Sequence, residues 1–344
     1  MENQGLEIDW RARLRHAWPQ IGIGAVIGIG TLMLAVRGVD WPAVRSALLH
    51  TRGSMILLAL LSVAGAISLS VVRWRLLFFP AHRQLSWRGL AGAIVIGQTA
   101  NIVIPARVGE LGRIYLVGSR EGVSKAHVTA TIVVEKVADL AVFAVAIGLA
   151  LVGMAMPEWM SRSGVAFVAV AAVLVVATVA LTFWSESLLR FLERLAERLL
   201  PAKWARRTVG VADAALEGLR SLRDWRLGLG VWLLSGAIFF LSVTNNYLVF
   251  KAMRLPLSPV AALFLTIVLR IGVAPPSLPG RLGLFQYLVV LALAMFSVNR
   301  TAALTYSFAL YGTAVLPVLF AGVVSLFAIR WTARSLGSIA GREV

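Results

Sequence analysis

A chain of 344 residues that is 59% hydrophobic and 14% charged, with a mean hydropathy of +0.84, lies far from the roughly 45–50% apolar and 25% charged make-up of a soluble domain. Its formal charge of +17, from 33 Lys and Arg against 16 Asp and Glu, would suit nucleic acid, but the basic residues stand in short loops beside apolar runs. There they read as orientation signals and contacts to anionic headgroups, so no nucleic-acid partner is expected. The absence of cysteine excludes disulfides, thiolate-bound metals and thiol nucleophiles.

The start "MENQGLEIDWRARLRHAW" places Arg11, Arg13 and Arg15 before the first apolar run, Ala17–Val36, and no A-x-A-like cleavage site follows, which predicts an uncleaved first helix. Further runs with few or no charges lie at Ser54–Val72, Gly89–Ala106, Leu140–Pro157, Ser163–Ser185, Leu227–Phe250, Leu282–Asn299 and Thr301–Ile329. Most approach the ~20 residues that a membrane-crossing helix needs, and they are too long for barrel strands. They predict an all-α polytopic membrane protein, because lipid offers no partner to unpaired backbone groups. Between Ser185 and Pro201, Leu188, Leu192, Leu195 and Leu199 stand against Arg190, Arg194 and Arg198. This predicts a surface amphipathic helix in a basic cytoplasmic connector, residues 184–226, within one membrane domain spanning 1–344.

Basic residues concentrate in the N-terminal segment, Arg73–Arg88, Trp184–Arg226 and the tail from Arg330. Placing these in the cytoplasm puts Arg37–Gly53, Glu158–Arg162 and Lys251–Leu257 outside and both termini inside a plasma (inner) membrane. Two segments must then enter and return on the same side. One contains "NIVIPARVGELGRIYLV", Asn101–Val117, turning at Pro105; the other contains "APPSLPGRLGLFQY", Ala274–Tyr287, turning at Pro279 and Gly280. Aligning Pro105 with Pro279 superposes Pro-Ala-Arg-Val-Gly on Pro-Gly-Arg-Leu-Gly, which pairs Gly109 with Gly283. The expected architecture is about six full spans plus two re-entrant helical hairpins in an inverted-topology repeat, with a transport site near the midplane. Eight spans remain the alternative, since Gly89–Ile104 and Leu282–Asn299 are almost long enough to cross.

Arg107, Glu110 and Arg113 recur at i, i+3 and i+6, on roughly one side of a helix beginning after Pro105. A phosphate at that helix start would meet free N–H groups and an Arg fork, with Gln98 and Asn101 on the incoming arm; equally, Arg107 and Glu110 would neutralise each other and brace the turn. In "TIVVEKVADLAVF", Glu135 and Asp139 share a face and Lys136 lies three before Asp139, at or inside the membrane edge, where charges usually face a bundle interior or a partner. Glu135 or Asp139 would pair with Arg107 or Arg113, or simply anchor a helix. In the second hairpin Arg270 precedes the prolines, Arg281 matches Arg107, and Gln286 and Tyr287 follow. Thr244, Asn245 and Asn246 would line a groove or hydrogen-bond between helices. No G-x-S-x-G, H-E-x-x-H or Walker loop is present, and His16, His50, His82 and His127 lack ligand spacing. Neither an enzymatic activity nor a metal or other cofactor is expected.

The segment "NIVIPARVGELGRIYLVGSREGVSKAHVTATIVVEKVADL" resembles the core of the lysylphosphatidylglycerol synthase transmembrane (flippase-like) family, whose N-x-x-x-P-x-R-x-G-E-x-x-R stretch is followed by E-[RK]-x-x-D. Asn101, Pro105, Arg107, Gly109, Glu110, Arg113, Glu135, Lys136 and Asp139 match, and Pro279, Gly280 and Gly283 match a later Pro-Gly-x-x-Gly. The resemblance covers Trp18–Trp331 and implies movement of a modified phospholipid or glycolipid between leaflets, with those residues and Arg281 at the substrate path. It is a resemblance to the membrane domain alone, without the aminoacyl-transferase domain, and Gln286 stands where the family usually carries glutamate. The partners it implies are membrane phospholipids and, on a scaffold alternative, a lipid-modifying enzyme or glycosyltransferase. A third alternative is an enzyme acting on lipid-linked substrates with Glu110 or Glu135 as general base.

Overall fold

The computed structural model of the chain describes residues 26–79, 84–104, 108–153, 224–273 and 279–340, with scattered positions from 165 to 213. Among the described residues every regular element is helical: α1 (Val26–Val36), α2 (Trp41–Leu49), α3 (Gly53–Leu77), α4 (Trp87–Val103), α5 (Gly109–Arg120), α6 (Lys125–Gly153), α7 (Trp225–Ala252), α8 (Pro259–Gly272), a 3-10 turn at Pro279–Arg281, α9 (Leu284–Ala294), α10 (Arg300–Ala314) and α11 (Leu316–Ala340). Among the described residues three stretches are long and apolar enough to cross a membrane: α3, α7 and the continuous Arg300–Ala328. Leu57, Leu61, Leu233, Phe240, Phe320 and Phe327 on these helices stay exposed, an apolar surface of the kind that lipid covers. The protein is an all-α, multi-pass membrane protein, as its composition requires.

Helix starts near the aqueous ends carry side-chain caps that satisfy the first free N–H groups. Ser86 accepts from Gly89 at 3.1 Å, Asp224 from Arg226 at 2.9 Å and Asn299 from Ala302 at 2.8 Å. The same chemistry corrects one expectation. Residues 37–53 were expected as an outer loop, but Asp40 accepts from Ala43 at 3.1 Å and Pro42 stands in the first turn, so α2 forms there, bent 86° from α1. A second correction concerns α6, which begins at Lys125 rather than near Leu140. Glu135, Lys136 and Asp139 therefore sit well inside a 29-residue helix. Most of the connector expected over 184–226, the N-terminal segment and the hairpin residues Pro105 and Arg107 lie outside the described residues.

α3 and α7 run antiparallel along their whole length: Arg52 N–H donates to Ala252 C=O at 3.0 Å, Gly65 meets Leu241, and Arg73 reaches Ser235 at 2.8 Å. Leu77 and Trp225 therefore mark one end of the pair, and Arg52 and Ala252 the other. At the Leu77 end the chain turns into α4 and α5, which fold back on each other. Their base is tied where Ser86 N–H donates to Glu121 at 3.2 Å, and their tip where Gly109 N–H donates to Asn101 Oδ1 at 2.7 Å. At the Ala252 end the chain enters α8 and α9, a second antiparallel pair in which Phe264 packs edge-on to Phe296 at 5.6 Å and Gly272 faces Leu288. These four helices have 17, 12, 14 and 11 residues, each short of the ~20 of a crossing. Two hairpins of short helices thus approach from opposite ends of the α3/α7 pair, and among the described residues neither hairpin holds a helix of crossing length.

Each hairpin owns a core. Trp74, Phe78, Leu90, Ile94, Val117 and Ile132 pack around the first, and Phe250, Phe264, Phe285, Leu293 and Tyr306 around the second. Fully burying side chains of this size contributes roughly 1.5–3 kcal/mol each against water, but within lipid it is close packing that holds such contacts together.

Candidate functional site

The tips of both hairpins reach a cavity of about 500 Å³ walled by α3 to α8, the Pro279–Arg281 turn and α9 to α11. A helix that starts at such a depth has no water for its first N–H groups, so the protein must supply an acceptor. Asn101 does this for α5 at Gly109, and Gln286 Oε1 does it for α9 at Gly283, 2.8 Å away. Both residues were expected to contact substrate. Asn101 still lines the cavity, whereas Gln286 is 1% exposed and acts as an internal cap, which an amide performs without a counter-charge.

Glycine sets the shape of the tips. A side chain at Gly109 would run into the Gly97 carbonyl and lie 2.6 Å from Asn101, so the crossing of α4 and α5 needs a bare backbone there. Gly97 in turn carries the stem of Arg113, whose Cγ passes within 2.7 Å of where a Cβ would stand. At the second tip Gly280, Arg281 and Gly283 all have positive φ, of 78°, 58° and 84°. Tyr311 ties this turn to α10 by donating to Gly280 C=O at 2.9 Å.

Charges on three helices converge on the cavity wall. Arg113 from α5 grips Glu135 from α6 with both guanidinium arms, at 3.1 and 2.7 Å, while its Cζ lies 4.0 Å above the Trp74 ring. Arg73 from α3 reaches the same Glu135 at 3.4 Å, pairs with Asp139 and donates to Ser235 of α7. Lys136 pairs with Glu110 at 3.2 Å, nearer the surface. The six ionised groups sum to zero, three cations against three carboxylates. That balance is what allows them at membrane depth, where an uncompensated charge costs several kcal/mol. Such a cluster holds the first hairpin against α3 and α6, and its guanidinium groups are of the type that binds phosphate bidentately.

The structure brings together Asn101, Glu110, Arg113, Glu135, Lys136, Asp139 and Arg281 around one cavity. Arg73 corrects the sequence expectation most sharply. Grouped with the cytoplasmic basic residues, it is instead 3% exposed, because it projects from the same face of α3 as Val63, Ala66, Ile67 and Ser70, which all line the cavity. That spacing of three to four residues was visible in the sequence; which helices would face it was not. Ser235 was missed for the same reason.

Residues 21–336 match the family described as the lysylphosphatidylglycerol synthase TM region. The chain belongs to that family. The chain also shows a local likeness to "Glycosyltransferase AglD" of Haloferax volcanii, 39% identical over 100 residues, 27% of this chain and 16% of that protein. The aligned stretch thus spans about a sixth of the relative's length. Family membership and the multi-pass fold together support a lipid-related role in a membrane.

Proposed function

We propose that this protein is a lipid translocator that moves an anionic or modified phospholipid or glycolipid between leaflets. The observation that carries this reading is the meeting of two oppositely directed hairpins at one charged cavity. A headgroup would pass through that cavity while its acyl chains stay among the exposed apolar faces. Interrupted helices whose ends meet inside a repeat-related pair are the arrangement by which transport sites are built at the midplane. Arg113 and Arg73 would exchange their carboxylate partners for headgroup phosphate during passage, and Glu110, Glu135 and Asp139 would hold them between cycles. The membrane we assign is the plasma (inner) membrane, with both termini cytoplasmic, and catalysis of a covalent step is not part of the reading.

The test is leaflet exchange of fluorescent anionic and zwitterionic lipids in liposomes holding the purified protein, beside Arg113→Gln and Glu110→Ala variants that elute as folded protein. Exchange by the natural sequence that Arg113→Gln loses supports translocation through the hairpin. A folded protein that exchanges none of the lipids would overturn it. That result would favour the second reading, a membrane scaffold for a glycosyltransferase or lipid-modifying enzyme, for which the likeness to "Glycosyltransferase AglD" is the supporting observation.

A further inference from the structure

Three carboxylates line the cavity and each is already held: Glu110 by Lys136, Glu135 by Arg113 and Arg73, and Asp139 by Arg73. Two further arginines, Arg270 and Arg281, line the same space, so the lining as a whole carries an excess of positive charge. Arg270, near the end of α8, is exposed. Among the described residues no carboxylate comes within ion-pair distance of it, and its charge rests against the Phe239 ring at 5.1 Å.

The position of Arg270 follows from the packing of α8 on α7. Thr266, one turn earlier on the same face, accepts from Asn246 Nδ2 at 2.8 Å, which fixes α8 against the middle of α7. Phe239 lies one turn beyond Ser235, the residue that anchors Arg73. Arg270 therefore stands beside the neutral ion cluster, within electrostatic reach of Asp139 and Arg73, without an ion pair to any of its carboxylates. Beside Asn246, Asn245 is 3% exposed and lines the cavity, and its Oδ1 has no hydrogen-bond partner. Buried polar atoms are rarely left idle, and one facing a cavity points to a ligand group that completes it.

We infer that this cavity selects a lipid headgroup carrying a phosphate and free hydroxyls, held by Arg270 and Asn245, and rejects headgroups bearing a cationic substituent. Arg270 supplies the charge-assisted donors to phosphate oxygens, and Asn245 Oδ1 accepts from a glycerol or sugar hydroxyl. While those ion pairs are closed, a cationic substituent finds every lining carboxylate engaged and meets Arg270. The inference deepens the translocator reading and rests on it for its physiological meaning, but it concerns binding, which is measured separately.

The experiment uses the full chain purified in a neutral-headgroup detergent and titrated with dioctanoyl phosphatidylglycerol, dioctanoyl phosphatidylcholine, the lysyl ester of dioctanoyl phosphatidylglycerol, and soluble glycerol phosphate. Phosphatidylglycerol should bind ~10-fold or more tightly than the choline and lysyl lipids, the size of one charge-assisted contact. Arg270→Gln should bring the three lipids to within about 2-fold of one another, and Arg270→Lys should keep most of the preference, since it keeps the charge. Asn245→Leu should weaken phosphatidylglycerol but not phosphatidate, which lacks the hydroxyls. Equal binding of all three lipids by the natural sequence, or a preference that survives in folded Arg270→Gln, would overturn the inference. Glycerol phosphate competing as well as the lipid would reassign the site to a soluble phosphate and overturn the lipid source. Leaflet exchange measured in parallel separates the two claims. Exchange without anion preference sinks this inference and leaves translocation standing; anion preference without exchange does the reverse.

Discussion

The two hairpins share a plan and differ in what holds them. The first is fastened by ions: Arg113 to Glu135, Glu110 to Lys136, and Arg73 behind them. At the corresponding depth the second is fastened by neutral groups. Asn246 donates to Thr266 at 2.8 Å, Tyr306 OH donates to the Asn246 carbonyl at 3.1 Å, and Tyr311 holds the tip. The same difference appears at the inner helix starts, capped by Asn101 before one turn and by Gln286 after the other. Two hairpins of one plan are therefore fastened by different chemistry. Ionic fastening is strong only while every partner is present, a condition that neutral fastening does not carry.

The sharpest way to break that contrast is at Glu135. Glu135→Ala leaves Arg113 and Arg73 buried with one carboxylate between them, and removing one partner of a buried pair costs roughly 3–5 kcal/mol. The expected outcome is a large fall in the thermal midpoint of the detergent-purified protein, partly recovered in an Arg113→Met/Glu135→Leu double variant that removes both charges. A midpoint unchanged in Glu135→Ala would show that water reaches these groups and that the ion cluster does not fasten the hairpin.

A second comparison sets the glycines of the two hairpins against each other. In Gly109→Ala the new methyl meets the Gly97 carbonyl, which is backbone and cannot give way. In Gly272→Ala it meets the tip of Leu288, 2.6 Å off, which can rotate. Overpacking typically costs ~1–3 kcal/mol, and Gly109→Ala is expected at the top of that range and Gly272→Ala near the bottom. Equal midpoints for the two variants would mean that the first tip adjusts as freely as the second.

The smallest effect is expected at Lys136. Its side chain is 49% exposed and that of Glu110 25%, so solvent screens the pair and Lys136→Met should cost less than about 1 kcal/mol, against the several expected at Glu135. The loss should also shrink in high salt, whereas that of Glu135→Ala should not. A Lys136 variant as unstable as the Glu135 one would erase the distinction between the buried and the half-exposed members of the cluster.

Several features of the molecule were legible from residue order alone. Apolar run lengths required helices that satisfy their own backbone, because lipid cannot. The loop charges predicted two segments that return on the side they entered, and two pairs of short helices are found flanking the repeated Pro-x-Arg-x-Gly. The caps at Asp40, Ser86, Asp224 and Asn299 close within three residues, yet none was expected from the sequence, where the Asp40 stretch was expected as a loop. Pairing was another matter. Arg73 was grouped with loop cations because its neighbours in sequence are Trp74 and Arg75, while its partners, Asp139 and Ser235, stand 66 and 162 positions away. Gln286 and Asn101 were taken for substrate contacts because a polar residue in an apolar run signals function or internal hydrogen bonding equally well. Only the packed helices show that both also cap a helix start, since a side chain's partner depends on which faces are brought together across the bundle. Sequence periodicity gives the face of each helix but not its neighbour.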